Sequence, residues 1–433
     1  MGENPPAASW LDWDAAHCWH PFTLQSEWTA PGHEPLVLVA GEGAWLVDSR
    51  GRRYLDGNAS IWTNVHGHRH PAIDAAIRAQ LERVAHTSFL GFANPPAAEL
   101  AKRLAGFFPP GALERVFFSD DGSTAVEVAV KMAIQYRQQT GQEERTGFLA
   151  FENAYHGDTM GAASLGGVSL FFDRFRRFGF PVTRVGSMDD LRALPESVVL
   201  GAAAVVIEPL IQGVNEMRPW PPGMLRDLRA WCDRAGAHLI LDEVMTGFAR
   251  TGAMFACQRE EVRPDFLCLA KGLSGGYLPL AATLATPDVY EAFLGGPERA
   301  FYYGHSYTGN QLGCAAALAS LDVFDEEQVL GRLPAKIARL REVLGAVKHP
   351  CLHEVRQCGM IAGVELRRPD GTRFDPAERI GPKVCLAARR HGLLTRPIRD
   401  TIVILPPLCI TAEEIALLGE ALQHAVEEAA PGG

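Results

Sequence analysis

The chain has no apolar run near the roughly 18 residues that a membrane-spanning helix requires, so no membrane segment is expected. Positive charge is scarce: 41 lysines and arginines face 51 acidic residues, for a formal charge of -10. That balance argues against nucleic acid or an anionic membrane surface as a general partner, since both favour basic proteins. The nine cysteines include no C-x-x-C pair, which points to reduced thiols in a cytoplasm rather than to disulfides. The N-terminus, "MGENPPAASW", shows neither the basic stretch nor the apolar core of a secretion signal. Pro6 stands where N-myristoylation needs Ser or Thr. Two phosphate-binding signatures are also missing: no G-x-x-x-x-G-K-[ST] occurs, and no G-x-G-x-x-G lies between a strand and a helix. Ser123 lacks a G-x-S-x-G elbow, so a serine hydrolase is not expected.

What is present is an ordinary globular composition, 47% hydrophobic and 21% charged. At 433 residues the length suggests about two or three domains. Within the first 75 residues, "AWLVDSRGRRYLDG" reads as two short strands around a Ser-Arg-Gly turn. Over residues 76–325 apolar runs alternate with helical patterns. "RVFFSD", "AAVVIEP", "HLILDE" and "DFLCLAK" are short and apolar without alternation, as strands of a parallel sheet covered on both faces would be. Ala125, Val128, Ala129, Met132 and Tyr136 recur at helical spacing after the first of them. Over residues 326–433, "LPAKIARLREVLGAV", "CGMIAGVELR" and "TIVILPP" read as a smaller unit of helix and strand. The expected class is α/β, with a large mostly parallel sheet and a smaller α/β part.

The chemistry gathers at strand ends. In open α/β sheets ligands bind beyond the carboxyl ends of the strands. There stand Glu208, the pair Asp242 and Glu243, and Lys271. A fourth strand runs into "SDDGSTAVEVAVK", where Gly122, Ser123 and Thr124 open a helix whose free N–H groups suit a phosphate. An amine, a carboxylate and an anion site are the parts that pyridoxal phosphate needs. Taken singly, Lys271 and Asp242 read better as strand-end residues reaching solvent. "HGHRHP" places His66, His68 and His70 at alternate positions, which on one strand face could share a metal ion. Gly67 and Pro71 argue against a regular strand and no carboxylate accompanies them, so a polar turn is expected and no metal.

"LILDEVMTGFARTG", followed by "LAKGLSGG", resembles the signature of the class III aminotransferases. "ENAYHGDT", "IEPLIQG" and "YGHSYTGNQLGCAAA" extend the likeness over nearly the whole chain. The resemblance implies a fold-type I transferase using pyridoxal phosphate, with a seven-stranded sheet and active sites shared across a homodimer. It implies Lys271 as the Schiff-base lysine and Asp242 as the partner of the pyridinium nitrogen. Gly122 and Ser123 fall at the phosphate turn, with Tyr155 against the ring and His156 and Glu208 close by. Ser306 stands where the family has a threonine that reaches the phosphate of the neighbouring subunit.

Further stretches, "CWHPFTLQ", "GNASIWTNVHGHRHP" and "HTSFLGFANPPAAELAKRL", resemble the branch of that family that aminates 8-amino-7-oxononanoate in biotin biosynthesis. For that substrate Phe22 and Trp62 are implied as apolar walls and Arg396 as the carboxylate-binding residue, an arginine fork suiting a carboxylate. Phe22, Ile61 and Val403 depart from members that use S-adenosylmethionine, which carry Tyr, Trp and Tyr there. The donor is therefore left between S-adenosylmethionine and lysine, with a lean to lysine. The alternative is another ω-amino-acid aminotransferase of the class, with an acceptor such as pyruvate.

Overall fold

The structure, a computed structural model, describes residues 7–33 and 35–431; Pro6 and the start of the N-terminal segment lie outside them. Seven strands form the central sheet in the spatial order Arg115–Ser119, Ala281–Ala285, Phe266–Leu269, His238–Asp242, Ala202–Ile207, Gly147–Phe151, Val182–Val185. All run parallel except Ala281–Ala285, which is antiparallel to both neighbours. Side chains along each strand alternate between two buried cores: Leu239 and Leu241 enter one, and Ile240 the other. Burial on both faces is why these strands show no polar alternation in sequence. The helix Gly122–Gln139 covers one face through Ala125, Val126, Ala129 and Ala133. The helix Met224–Ala235 covers the other through Leu225, Leu228 and Cys232.

The four strands singled out in the sequence, and the helix after the first, are all present. Trp45–Asp48 and Arg53–Asp56 form the expected hairpin, whose turn is closed by Asp48 accepting the N–H groups of Arg50 and Arg52. A short strand from near the other end of the chain, Leu393–Leu394, pairs with Arg53–Asp56, so the N- and C-terminal parts share one sheet. "CGMIAGVELR" lies on the hairpin of Leu352–Cys358 with Ile361–Leu366, and Thr401–Ile404 extends it. Its turn needs Gly359: φ is 65°, and a Cβ there would lie 2.4 Å from the Arg250 carbonyl. The helix foreseen at "LPAKIARLREVLGAV" starts earlier, at Val329, and carries Pro334 inside it.

This C-terminal sheet is locked by buried charge. Arg356 reaches Glu365 and Glu354 and donates to the Glu216 carbonyl, while Arg367 meets Glu365 at 2.6 Å. Removing one partner of such a network leaves a buried charge unpaired, which costs about 3–5 kcal/mol.

Candidate active site

Carboxyl ends of the central strands open into one cavity of about 430 Å³. Asp242, Glu208 and Lys271 line it from adjacent strands, and Gly122 and Ser123 from the helix that follows Arg115–Ser119. Tyr155, His156 and Trp62 complete the walls.

Lys271 sits two residues beyond the end of Phe266–Leu269, at the start of a 3₁₀ turn, with φ of 41°. Its Nζ lies 4.6 Å from the centre of the Trp62 ring. Burial lowers its pKa to about 8, against the opposing pull of Asp242 and Glu208. A buried lysine that gives up its proton this readily is suited to act as nucleophile and proton carrier.

Asp242 has both oxygens engaged. Oδ2 lies 2.7 Å from His156 Nδ1, and Oδ1 accepts the N–H of Val244 at 3.1 Å. Burial alone would lower the His156 pKa, but the hydrogen bond to Asp242 and that carboxylate's charge, with Glu208, raise it above the ordinary value. His156 Nε2 is buried with no partner among the described residues. Glu208 Oε1 and Oε2 accept the N–H groups of Gly213 and Tyr155 at 2.9 and 3.1 Å. Burial lifts its pKa to about 7. Glu243 turns away instead and accepts the N–H groups of Ala256 and Cys257, which makes it a support of the loop after the strand.

At the other end of the cavity Asp121 caps the helix Gly122–Gln139 by accepting the Thr124 N–H at 2.8 Å, and Thr124 Oγ1 accepts that of Asp121 at 3.1 Å. Such a helix start presents uncommitted N–H groups and the positive end of the helix dipole to an anion. Gly122 is required by space, since a Cβ would lie 2.6 Å from Val244 Cγ1. Gly157, with φ of 121°, lets its loop pass close over Ser123, whose Oγ accepts the Asp158 N–H at 3.2 Å. Anion cradle, amine and pinned carboxylate share one cavity, and these residues fit pyridoxal phosphate. Gly122 and Ser123 would hold its phosphate, Asp242 its ring nitrogen and Lys271 its aldehyde carbon.

Behind Tyr155 lies an aromatic cluster. Phe171 packs edge-on against both Phe22 and Tyr155, each with ring centres 5.6 Å apart. The Tyr155 hydroxyl donates to Asp158 at 2.6 Å, and burial with that carboxylate raises its pKa. Trp62 ends a run with positive φ at Ala59, Ser60, Ile61 and Trp62, a geometry that costs L-residues about 1–2 kcal/mol each. Beneath it, buried Arg250 donates to the carbonyls of Pro406, Asn64 and Trp62 at 2.6, 3.3 and 3.4 Å. Burial lowers its pKa to about 9. Phe171, Asp158 and Arg250 were not singled out from the sequence; Asp158 and Arg250 sit inside quoted motifs, whereas Phe171 carries no local signal.

Three expected residues lie outside the cavity: Phe22 is exposed and meets the cavity wall only through Phe171. Ser306 is exposed, outside this cavity, and its carbonyl accepts from His86 Nε2 at 2.8 Å. Arg396 is exposed too and makes no ion pair among the described residues. Its carbonyl accepts the N–H of Val403 at 3.1 Å, and Val403 belongs to the apolar cluster that Trp62 packs against. The three histidines turn to separate partners: His66 to Ser320 at 3.1 Å, His68 to Asp56 at 3.0 Å and His70 to Glu327 at 2.9 Å.

The chain matches the class-III aminotransferase family over residues 28–426. It is 49% identical to the adenosylmethionine-8-amino-7-oxononanoate aminotransferase of Geobacter sulfurreducens, over 97% of this chain and 98% of that protein. The crystal structure of the enzyme so named from Methanocaldococcus jannaschii superposes with a TM-score of 0.95 at 38% identity, covering 98% of this chain and 100% of the other. An amine transaminase from an uncultivated Pseudomonas species, solved with pyridoxal phosphate bound, gives 0.89 at 34% identity over 95% and 99%.

Proposed function

The chain belongs to the class-III aminotransferases, and from that premise we propose that it transfers an amino group to 8-amino-7-oxononanoate, giving 7,8-diaminononanoate for biotin biosynthesis. The observation that carries this is the cavity in which Lys271, the Asp242–His156 pair and the helix start at Gly122 meet beneath an aromatic wall. Pyridoxal phosphate, when bound, supplies an electron sink for the amino-bearing carbon. The chain supplies the rest. Lys271 Nζ takes a proton from that carbon and returns it at the other end of the exchange. Asp242 holds a proton on the ring nitrogen, and Gly122 and Ser123 fix the phosphate. Tyr155 covers the ring, and Glu208 with His156 sets the charge around Asp242.

For the acceptor, Phe22 and Trp62 provide apolar walls for an aliphatic chain, and Arg396 receives the carboxylate at its far end. The amino donor is S-adenosylmethionine, supported by the names that relatives carry. We further propose a cytoplasmic homodimer, in which Ser306 serves the phosphate of the partner's site. Exposed Leu90, Phe92 and Tyr302, on the two segments that meet at His86 and Ser306, support a surface covered by another subunit. Residues 1–75, 76–325 and 326–433 are proposed as its N-terminal segment, cofactor-binding domain and C-terminal domain.

Likeness to an amine transaminase favours one second reading, an ω-amino-acid aminotransferase that uses pyruvate. Purified enzyme incubated with 8-amino-7-oxononanoate and, in turn, S-adenosylmethionine, lysine or alanine should form 7,8-diaminononanoate with the first. Turnover of pyruvate alone would establish the second reading. Rescue of a biotin auxotroph lacking this step is the matching test in cells.

A further inference from the structure

The left-handed run Ala59–Trp62 has φ values of 44°, 51°, 68° and 72° and contains no glycine. L-residues visit this region singly, and a run of them persists only where its surroundings over-determine it. Here the determinants are identifiable. Asp56, 2% exposed, accepts the N–H groups of Asn58 and Ser60, each at 3.1 Å. The same carboxylate is held from behind by His68 Nε2 at 3.0 Å. Asn58, also buried, accepts the Trp62 indole N–H through Oδ1 at 3.0 Å. The ring fixed in this way lies over the Lys271 amine. Neither Asp56 nor Asn58 lines the cavity, so neither touches cofactor or substrate.

A simple turn cap would satisfy backbone N–H groups and leave the indole free to rotate. This arrangement does both jobs in sequence, from carboxylate to turn and from amide to ring. We propose that Asp56 and Asn58 are positioning residues of the aminotransferase: Asp56 holds the left-handed turn, and Asn58 sets the orientation of Trp62 against Lys271 and the acceptor chain. The inference rests on the function proposed above.

The test uses cofactor-loaded enzyme with ¹⁵N-labelled tryptophan, the Trp62 indole signal being the one lost in Trp62→Phe. Slow solvent exchange of that N–H is expected in the unaltered enzyme, and exchange at least about tenfold faster in Asn58→Leu. Asn58→Asp, which keeps an acceptor oxygen, should restore protection. In kcat/KM for 8-amino-7-oxononanoate, Asn58→Leu and Trp62→Phe should each lose roughly tenfold, and the double variant no more than either alone. Unprotected indole in the unaltered enzyme, or losses that multiply in the double variant, would overturn the proposal. If Asn58→Leu does not fold, exchange in the unaltered enzyme and in Asn58→Asp decides. A wrong acceptor would show itself differently, as an unaltered enzyme silent on that ketone with its indole still protected.

Discussion

His156 Nδ1 and Asp242 Oδ2 lie 2.7 Å apart in a buried pair at the end of a central strand. Burial works against charge on the imidazole, but the carboxylate wins and raises its pKa. With Oδ1 accepting the Val244 N–H as well, the carboxylate is held from both sides at the cavity wall.

Asp242→Asn removes that charge while keeping the shape. It is expected to lower kcat by roughly 10²–10³-fold, in the range for loss of one preorganised electrostatic group. His156→Gln should lose less, about tenfold, because Asp242 keeps its bond to Val244. Steady-state rates and the absorbance maximum of the bound cofactor check both, and near-normal turnover in Asp242→Asn would refute the role.

Lys271→Ala removes the proposed nucleophile and proton carrier together, and turnover should fall by about 10⁴-fold or more. The amine's pKa of about 8 can be read in the apoenzyme by the pH dependence of acylation at Lys271. Reaction should be slow below pH 8 and reach a plateau above it. Unfolding returns the amine to its ordinary 10.5, so the folded apoenzyme binds fewer protons between these values. Its stability should rise as pH climbs through that window. An acylation midpoint near 10 would contradict the burial argument.

Glu365 makes the opposite case. Burial would raise its pKa, yet hydrogen bonds from Arg356 and then Arg367 bring it down to about 2. The stability it contributes is present above its ordinary 4.5 and should drain away as pH falls from there toward 2. Glu365→Gln is expected to lower Tm at neutral pH and to flatten the loss of Tm across that acid window. Thermal melts over the same range decide it.

Lys271, Asp242 and Glu208 were legible in the sequence because each ends a short apolar run, and parallel strands bring such ends together. The strand Ala281–Ala285 was not, since "AATLA" carries helix-forming alanines and becomes a strand only by burial between two neighbours. The turn at Ala59–Trp62 was hidden for a related reason: no glycine announces it, and the groups that enforce it are tertiary. Ser306 and Arg396 were matched by motif, but neither lines the cavity, a placement that motif spacing alone does not encode.

Gly122 tests the phosphate end. An alanine there would press on Val244 Cγ1, and the Val244 N–H is bonded to Asp242 Oδ1. A push at the cradle is thereby passed to Asp242. Gly122→Ala should weaken cofactor binding by about tenfold or more in equilibrium dialysis, at about 1–3 kcal/mol of overpacking. Adding Val244→Ala, which opens the space, should recover most of the loss; if it does not, steric pressure is the wrong cause.

Phe171 was invisible as a site residue, yet it is the ring that ties Phe22 to Tyr155. Edge-to-face pairs contribute about 0.5–1.5 kcal/mol each beyond area. With both lost in Phe171→Ala, KM for 8-amino-7-oxononanoate should rise roughly tenfold. A short keto acid such as pyruvate would not reach this wall, so its KM should stay within about twofold. Equal loss for both acceptors would mean that Phe171 acts through Tyr155 on the cofactor instead. That outcome would move the acceptor wall from Phe22 to Trp62, whose ring lies 4.6 Å from Lys271 Nζ.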